Sequence, residues 1–288
     1  MKILLTGKNG QVGYELERSL QGLGQVMAVD RTQMDLADLM QVRDVIRTLK
    51  PDLIVNAAAY TAVDKAESEP ALAMRINADA PGVMAEEAKR LGAIMIHYSS
   101  DYVFDGSKDT PYVESDQPCP LNVYGTTKLM GERAIQAVGI PHLILRTSWV
   151  YGMRGRNFLL SILHQAEINA ELRVVTDQHG APTWCRTIAD ATARIVKKNP
   201  TRDSEWKQKT GVYHLAAQGQ TTWYDFAKAI LTQSYVESQP VITAIHTEDR
   251  VSLARRPHNS MMSCNKFIQG FFELPQWDSE LMHCFSCK

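Results

Sequence analysis

Tyr124 and Lys128 stand four residues apart in Tyr124-Gly-Thr-Thr-Lys128, a spacing that on a helix brings a phenol and an ammonium to one face. A cation beside a phenol favours the phenolate and lowers a pKa that otherwise lies near about 10, so such a pair can exchange a proton with a reacting oxygen. Reaching neutrality takes roughly 4 kcal/mol of differential stabilisation, more than one lysine supplies. A hydroxyl is expected to share the task, and Ser100, in Ser99-Ser100-Asp101 at the end of an apolar run, is the candidate. The same spacing recurs at Tyr224 and Lys228, within a late amphipathic stretch where it reads as a half-buried tyrosine beside a solvated lysine. Context, rather than spacing, selects Tyr124.

Near the start of the chain, Gly7-Lys-Asn-Gly10-Gln-Val-Gly13 follows an apolar run and opens an amphipathic one. Glycines there permit a sharp turn at Gly7, close approach of a pyrophosphate to the amides of Gly10, Gln11, Val12 and Gly13, and tight packing of helix on strand. The helix N-terminus adds unpaired N–H groups and a partial positive charge. This is a dinucleotide site, and the positive charge of an oxidised nicotinamide would help to stabilise the Tyr124 phenolate. Asp30, ending Gln25-Val-Met-Ala-Val-Asp30, sits where a carboxylate holds the adenosine ribose hydroxyls of NADH. Arg31 beside it could pair with the 2′-phosphate of NADPH, so either nicotinamide fits. Asp35-Leu36 follows, with two readings for Asp35: an adenine contact or a cap for the helix beginning near Asp38.

Five apolar runs must position these groups: Lys2–Thr6, Gln25–Asp30, Leu53–Ala58, Ala93–Ser99 and His142–Ser148. Continuous apolarity marks strands covered on both faces. Between them lie helix-like stretches at Gln11–Leu23, Asp38–Leu49, Ala71–Leu91 and Tyr124–Ala137. The alternation specifies an α/β fold, a doubly wound parallel sheet of Rossmann type. Residues 1–150 form the expected dinucleotide-binding domain. Residues 151–288 form a smaller substrate-binding lobe interleaved with it, with helices at Asn157–Ile168, Thr187–Lys197 and Thr222–Ser234 and a strand at Val212–Ala216. The polar segment Asn199–Thr210 reads as a surface loop.

The chain has 288 residues, 44% of them hydrophobic, enough for a sizeable core. Its 31 Lys and Arg against 32 Asp and Glu give a net charge of −1, so no global field draws it to nucleic acid or a membrane, and any phosphate must be held locally. No run approaches a membrane span, and the N-terminal run reaches Gly7 too early for a signal peptide, which points to a cytoplasmic protein. Five scattered cysteines fit reduced thiols, and Cys284-x-x-Cys287 reads as a bland, frayed terminus without zinc or redox chemistry.

Taken together, Leu4–Gly13, Val55–Glu67, Ser99–Gly106, Pro120–Glu132, Arg146–Tyr151 and Arg256–Ser260 make the chain similar over nearly its whole length to the extended short-chain dehydrogenase/reductases. Within them it resembles the branch that reduces the C4 ketone of nucleotide-linked deoxysugars, dTDP-4-dehydro-L-rhamnose above all. The resemblance implies an NAD(P)H-dependent oxidoreductase with Tyr124 as catalytic acid, Lys128 on the nicotinamide ribose and Ser100 on the substrate carbonyl. It further implies that Ala59, Tyr60 and Thr61 line the nicotinamide side, that Tyr98 lines the cofactor pocket, and that Asp101 and Trp149 contact the sugar.

Trp149 could instead seal the core. Arg255 and Arg256 are candidates for the substrate diphosphate, and only Arg256 falls on the Arg-Pro-x-Asn-Ser pattern of the family. Asn157 and Phe158 follow the glycine-flanked 152–155 loop and are further candidates for substrate contact. Some relatives are homodimers that bind Mg²⁺ through acidic residues. Glu15 and Asp190 match those positions, but Arg186 stands where another acid is expected, and no metal site is assigned. Two other readings keep the fold: a non-catalytic NADP-binding regulatory subunit, and a nucleotide-sugar epimerase or dehydratase. A dehydratase would need an Asp-Glu pair that Ser100-Asp101-Tyr102 lacks.

Overall fold

The computed structural model describes residues 1–199, 205–234 and 240–286 of the chain. Strands β1 (Lys2–Thr6), β2 (Gln25–Val29), β3 (Leu53–Asn56), β4 (Ile94–Ser100) and β5 (His142–Thr147) form where the apolar runs predict them. A sixth, β6 (Gly211–His214), comes from the second half of the chain and pairs with β5. The order is β6-β5-β4-β3-β1-β2, every pair parallel. The chain runs outward from β1 to β2 and then returns to β3 on the opposite side, so the switch point lies between β1 and β3, where such sheets bind ligands.

Alternation along the buried strands feeds two cores. Ile3, Leu5, Val55, Ile96 and Leu145 pack toward α1 (Gln11–Ser19), while Leu4, Ile54, Met95 and Ile144 pack toward α2 (Leu39–Leu49) and α3 (Ala80–Leu91). Each such side chain contributes about 1.5–3 kcal/mol when fully buried. Helix α4 (Val123–Val138) places Ile135 in the second core, and Ile188 and Ile195 of α6 (Cys185–Lys198) enter the first. A third core lies in the second half, where α5 (Phe158–Ile168), α7 (Trp223–Gln233) and α8 (Trp277–Ser286) bury Leu159, Phe226, Ile230 and Leu281.

Three expectations are corrected. The helix predicted over Ala71–Leu91 is broken by a π-turn at Arg75–Asp79, in which the Ala80 N–H reaches back to the Arg75 carbonyl. Pro81 has no N–H for the Asn77 carbonyl, so the α pattern cannot run through. Asn199–Thr210 is not a surface loop throughout: Trp206, on the short helix Glu205–Gln208, is 1% exposed, and its indole donates to the Asn199 carbonyl at 2.7 Å. One large aromatic outweighs its polar neighbours. Residues 200–204 of that segment lie outside the described residues. Nor does the C-terminus fray up to residue 286, because Cys284 and Phe285 of α8 are buried in the third core; Cys287 lies outside the described residues. Among the described residues no helix is long and apolar enough to cross a membrane.

Two buried carboxylates stitch these layers. Glu132 on α4 grips the Arg146 guanidinium of β5 with two bonds of 2.9 and 2.7 Å, both side chains almost fully buried. Replacing Glu132 by Ala strands the arginine without its counter-charge, and a loss of about 3–5 kcal/mol of unfolding free energy is expected in urea titration. Glu280 on α8 accepts the Trp184 N–H at 3.2 Å and the Thr187 hydroxyl, capping an α6 terminus that has no side-chain cap of its own. Burial pushes its carboxyl up from 4.5 to about 7. Because the folded value is the higher one, this stabilisation is complete below about pH 4.5 and is lost as pH rises through about 7, at most about 3 kcal/mol. Thermal melts of Glu280→Gln at about pH 5 and about pH 8 should therefore differ less than those of the wild type.

Candidate active site

The turn from β1 into α1 fits a dinucleotide. Helix α1 has Gly10 at its N-cap and no side chain closing its first turn, so its leading amides face outward. A Cβ at Gly13 would lie 2.0 Å from the Gly7 carbonyl oxygen, so only glycine lets the helix start this close to the turn. Asp30 follows the last residue of β2 beside the cradle. Its carboxylate accepts from the Thr32 hydroxyl at 2.6 Å and faces Lys8 at 3.4 Å, and it is held down to about 2, with the Thr32 hydrogen bond the largest cause. Arg31 pairs with Asp35 at 3.2 Å. Asp35 also accepts the Ala37 N–H, so it stiffens the turn ahead of α2, whose cap is Asp38. Leu36 is buried in the second core, leaving its backbone as the part a cofactor could meet. Across the switch point the backbone of Tyr60, in the Ala59-Tyr60-Thr61 loop, exchanges two bonds with the Asn77 amide, 2.8 and 3.0 Å, and the Tyr60 hydroxyl donates to Glu69 at 2.6 Å.

Ser100 at the end of β4 meets Tyr124 in the first turn of α4, and Lys128 lies one turn further along α4 against β4. Asn122 caps α4 by accepting the Gly125 N–H at 2.8 Å. A Cβ at Gly125 would lie 2.0 Å from the Tyr102 carbonyl oxygen, so this glycine lets Tyr124 close onto the turn that carries Ser100. The Tyr102 and Tyr124 rings meet edge to face at 5.8 Å. Burial raises Tyr124 to about 12, and the Ser100 hydroxyl pulls it the other way. Lys128 is 2% exposed; its ammonium donates to the Tyr98 carbonyl at 2.6 Å, and burial lowers it from 10.5 to about 8. Ser100 donates to Asp101 at 2.8 Å, and burial raises Asp101 to about 7.

Other predicted residues take different work. The Tyr98 phenol turns into the first core and meets the Thr192 hydroxyl at 2.7 Å, so Tyr98 serves the site through its carbonyl rather than by lining a pocket with its side chain. Trp149 stacks on Trp223 with centroids 3.6 Å apart. Arg256 makes a fork to Asp64, 2.7 and 3.2 Å, and Arg255 is exposed. Asn157 caps α5 and clamps the 152–155 loop onto Gln11 at 2.8 Å, while Phe158 packs against Trp223 and Phe226, so both hold the lobe together. Lys228 lies over the Tyr224 ring and pairs with Asp225, as a packing pair should.

Glu15 is paired with Arg186 at 3.2 Å and Asp190 accepts the Ser19 hydroxyl at 2.6 Å. A guanidinium occupies the charge that a divalent ion would need, and no group of three His, Cys, Asp or Glu among the described residues is arranged to hold a metal.

Sequence reading missed the polar chain behind the lysine. Thr6 donates to Asn56 at 2.7 Å, the Asn56 amide meets His97 Nδ1 at 3.0 Å, and His97 Nε2 lies 3.5 Å from the ammonium of Lys128. Burial and the neighbouring ammonium hold His97 well below its usual value, hence neutral. The available signal was a polar residue in each of three otherwise apolar strands, at adjacent positions once β1, β3 and β4 are aligned.

A family model described as the RmlD substrate binding domain matches residues 1–287. The dTDP-4-dehydrorhamnose reductases of Burkholderia thailandensis and Escherichia coli K12 are each 45% identical, over 96% of this chain and 95% and 94% of theirs. A crystal structure of the Bacillus anthracis dTDP-4-dehydrorhamnose reductase in complex with NADP superposes with a TM-score of 0.91 at 31% identity, covering 100% of this chain and 99% of that one. The Thermus thermophilus UDP-glucose 4-epimerase shares the fold, with a TM-score of 0.80 at 16% identity. A match over the whole length, added to a glycine cradle and a Ser-Tyr-Lys cluster on one rim, means that the chain belongs to the RmlD substrate binding domain family, that of the dTDP-4-dehydrorhamnose reductases.

Proposed function

We propose that the chain reduces the C4 ketone of dTDP-4-dehydro-L-rhamnose to the alcohol of dTDP-L-rhamnose, using NADPH or NADH, as the names of its relatives suggest. The observation that carries this reading is the meeting of Ser100 and Tyr124, with the buried Lys128 one turn along α4 and held to the Tyr98 carbonyl of the same strand as Ser100. A bound nicotinamide supplies the hydride. Gly10, Gln11, Val12 and Gly13 present amides to the pyrophosphate, and Asp30 holds the adenosine ribose. Lys8 and Arg31 flank that carboxylate and favour room for a 2′-phosphate. The Ala59–Thr61 loop borders the nicotinamide, with Lys128 at its ribose.

Tyr124 gives its phenolic proton to the C4 oxygen as the alkoxide forms, while Ser100 donates a hydrogen bond to the same oxygen. A phenol raised to about 12 remains a competent acid here, because the alkoxide formed at C4 is a stronger base than the phenolate left behind. Burial thus keeps the proton on Tyr124 until there is an oxyanion to receive it. Residues 1–150 carry this chemistry, and residues 151–288 form the lobe that, with Asp101, Trp149 and Arg256, receives the sugar and its diphosphate.

Tyr124→Phe should lower NADPH-dependent turnover of the keto sugar by about 10²–10⁴-fold while leaving NADPH affinity near the wild-type value. Tight NADPH binding by a wild type that does not oxidise it with this substrate would count against the reading, and NMR of the product checks which carbon is reduced. Gly13→Ala must push the helix start off the turn, and its NADPH dissociation constant, measured by fluorescence quenching, should rise by about tenfold or more.

A further inference from the structure

Ser100 has one hydroxyl proton, and its use is contested. Ser100 Oγ lies 2.8 Å from Asp101 Oδ1 and accepts the Tyr102 N–H at 3.1 Å. An ionised carboxylate only accepts, so with Asp101 charged the serine proton is directed at Oδ1 and nothing remains to donate to a ketone. With Asp101 protonated the bond can reverse: the acid donates to Ser100 Oγ, and the serine proton turns free.

The surroundings of Asp101 favour the acid. The residue is 3% exposed, and its Oδ2 is buried with no hydrogen-bond partner. The groups that face it are the Ser100 hydroxyl, Tyr102 on its own turn, Tyr124 from α4 and the Ser260 hydroxyl from the C-terminal segment, none of them a cation. The nearby guanidinium of Arg256 is forked onto Asp64 and acts on Tyr102. The Ser100 and Ser260 hydroxyls and the backbone N–H groups of Asp101 and Tyr102 favour the carboxylate, but all are neutral, and burial without a counter-charge outweighs them, so protonation relieves the cost.

We propose that Asp101 is a positioning residue whose protonation decides whether Ser100 can act: as a carboxylic acid it frees the Ser100 hydroxyl for the C4 oxygen, and as a carboxylate it captures it. This goes beyond a sugar contact at Asp101, and it rests on the assignment of Ser100 as a donor to the ketone. One solvent proton is taken up or released, and no bond of the substrate is involved.

The test is kcat/KM for dTDP-4-dehydro-L-rhamnose with saturating NADPH, from about pH 5.5 to about pH 8.5. Wild-type kcat/KM should fall with rising pH through about 7, where Asp101 loses its proton, ahead of the separate loss from the Lys128 ammonium, which is lowered to about 8. Asp101→Asn keeps an N–H donor toward Ser100 Oγ at every pH. It should abolish that fall and exceed the wild type by about tenfold at the alkaline end. Ser100→Ala should be slow and should also lack the fall, which a merely structural role for Asp101 would not produce. Isotope-edited infrared spectra of the wild type supply a second measurement that does not depend on folding of a variant: the carboxylic-acid band should be present at about pH 6 and lost by about pH 8.5. A flat wild-type profile, the fall through about 7 retained in Asp101→Asn or in Ser100→Ala, or no protonated band at about pH 6 overturns the proposal. If Tyr124→Phe is as active as the wild type, the proposed function itself fails; if Tyr124→Phe is inactive and the profile is flat, only the role of Asp101 fails.

Discussion

A buried ammonium governs this molecule. Lys128, one turn along α4 from Tyr124, has been taken out of water, and burial drives it toward the neutral amine, to about 8. What opposes this is local: the Tyr98 carbonyl at 2.6 Å and, one turn along α4, the charge of Glu132. Glu132 is itself tied to Arg146 on β5, so the strand next to β4 fixes the helix that carries both Tyr124 and Lys128. His97, neutral and anchored through Asn56 to Thr6, blocks the remaining side and adds no competing positive charge. Strands β1, β3, β4 and β5 thus all bear on one nitrogen, and the sheet is the device that sets its position.

The parts of the fold that could be read in the sequence are those determined by short-range rules. Continuous apolar runs can only be doubly covered strands, and all five predicted ones form, with ends shifted by two residues at most. A glycine turn between a strand and a helix, and a phenol with an amine four residues on, are likewise local. Whatever depended on distant partners stayed hidden. Arg256 and Asp64 lie 192 residues apart, and no pattern in either segment announces their pairing. The π-turn could have been suspected from Pro81, but its purpose was invisible: it aims Asn77 at the Tyr60 backbone on one side and the Thr127 hydroxyl on the other, binding the loop after β3 to α4. The cap that Asn157 places on α5 was hidden because a helix cap and a ligand contact use the same side chain and the same kind of loop.

Trp149 shows how the second half of the chain enters the site. Its φ is +48°, a left-handed conformation that costs a bulky residue of order 1–3 kcal/mol and persists only when its surroundings over-determine it. The over-determination is the near-parallel stack on Trp223 at the start of α7, an element rooted in the third core by Phe226 and Ile230. Packing in the lobe therefore sets the posture of a side chain on the rim of the sheet. The two readings left open for this tryptophan, sugar platform and core seal, are not exclusive, since one face is covered and the residue is only half-buried.

The charges around the rim carry a further consequence. Lys8 faces Asp30, Arg31 faces Asp35, and Arg256 is forked onto Asp64, so each of these cations meets an arriving phosphate already paired. Pairing weakens the long-range pull, in keeping with a chain of net charge −1, but it also fixes the side chains and removes the entropy cost of ordering them on binding. Attraction at a distance is exchanged for geometry at contact. In the glycine cradle, the leading amides of α1 have no carboxylate to compete with a phosphate, their direction is fixed by the backbone and their strength does not depend on titration. A chain without excess positive charge can hold two phosphate-bearing ligands side by side if its anion sites are built in this way, from dipoles in the first turn of a helix and cations restrained by their own carboxylates.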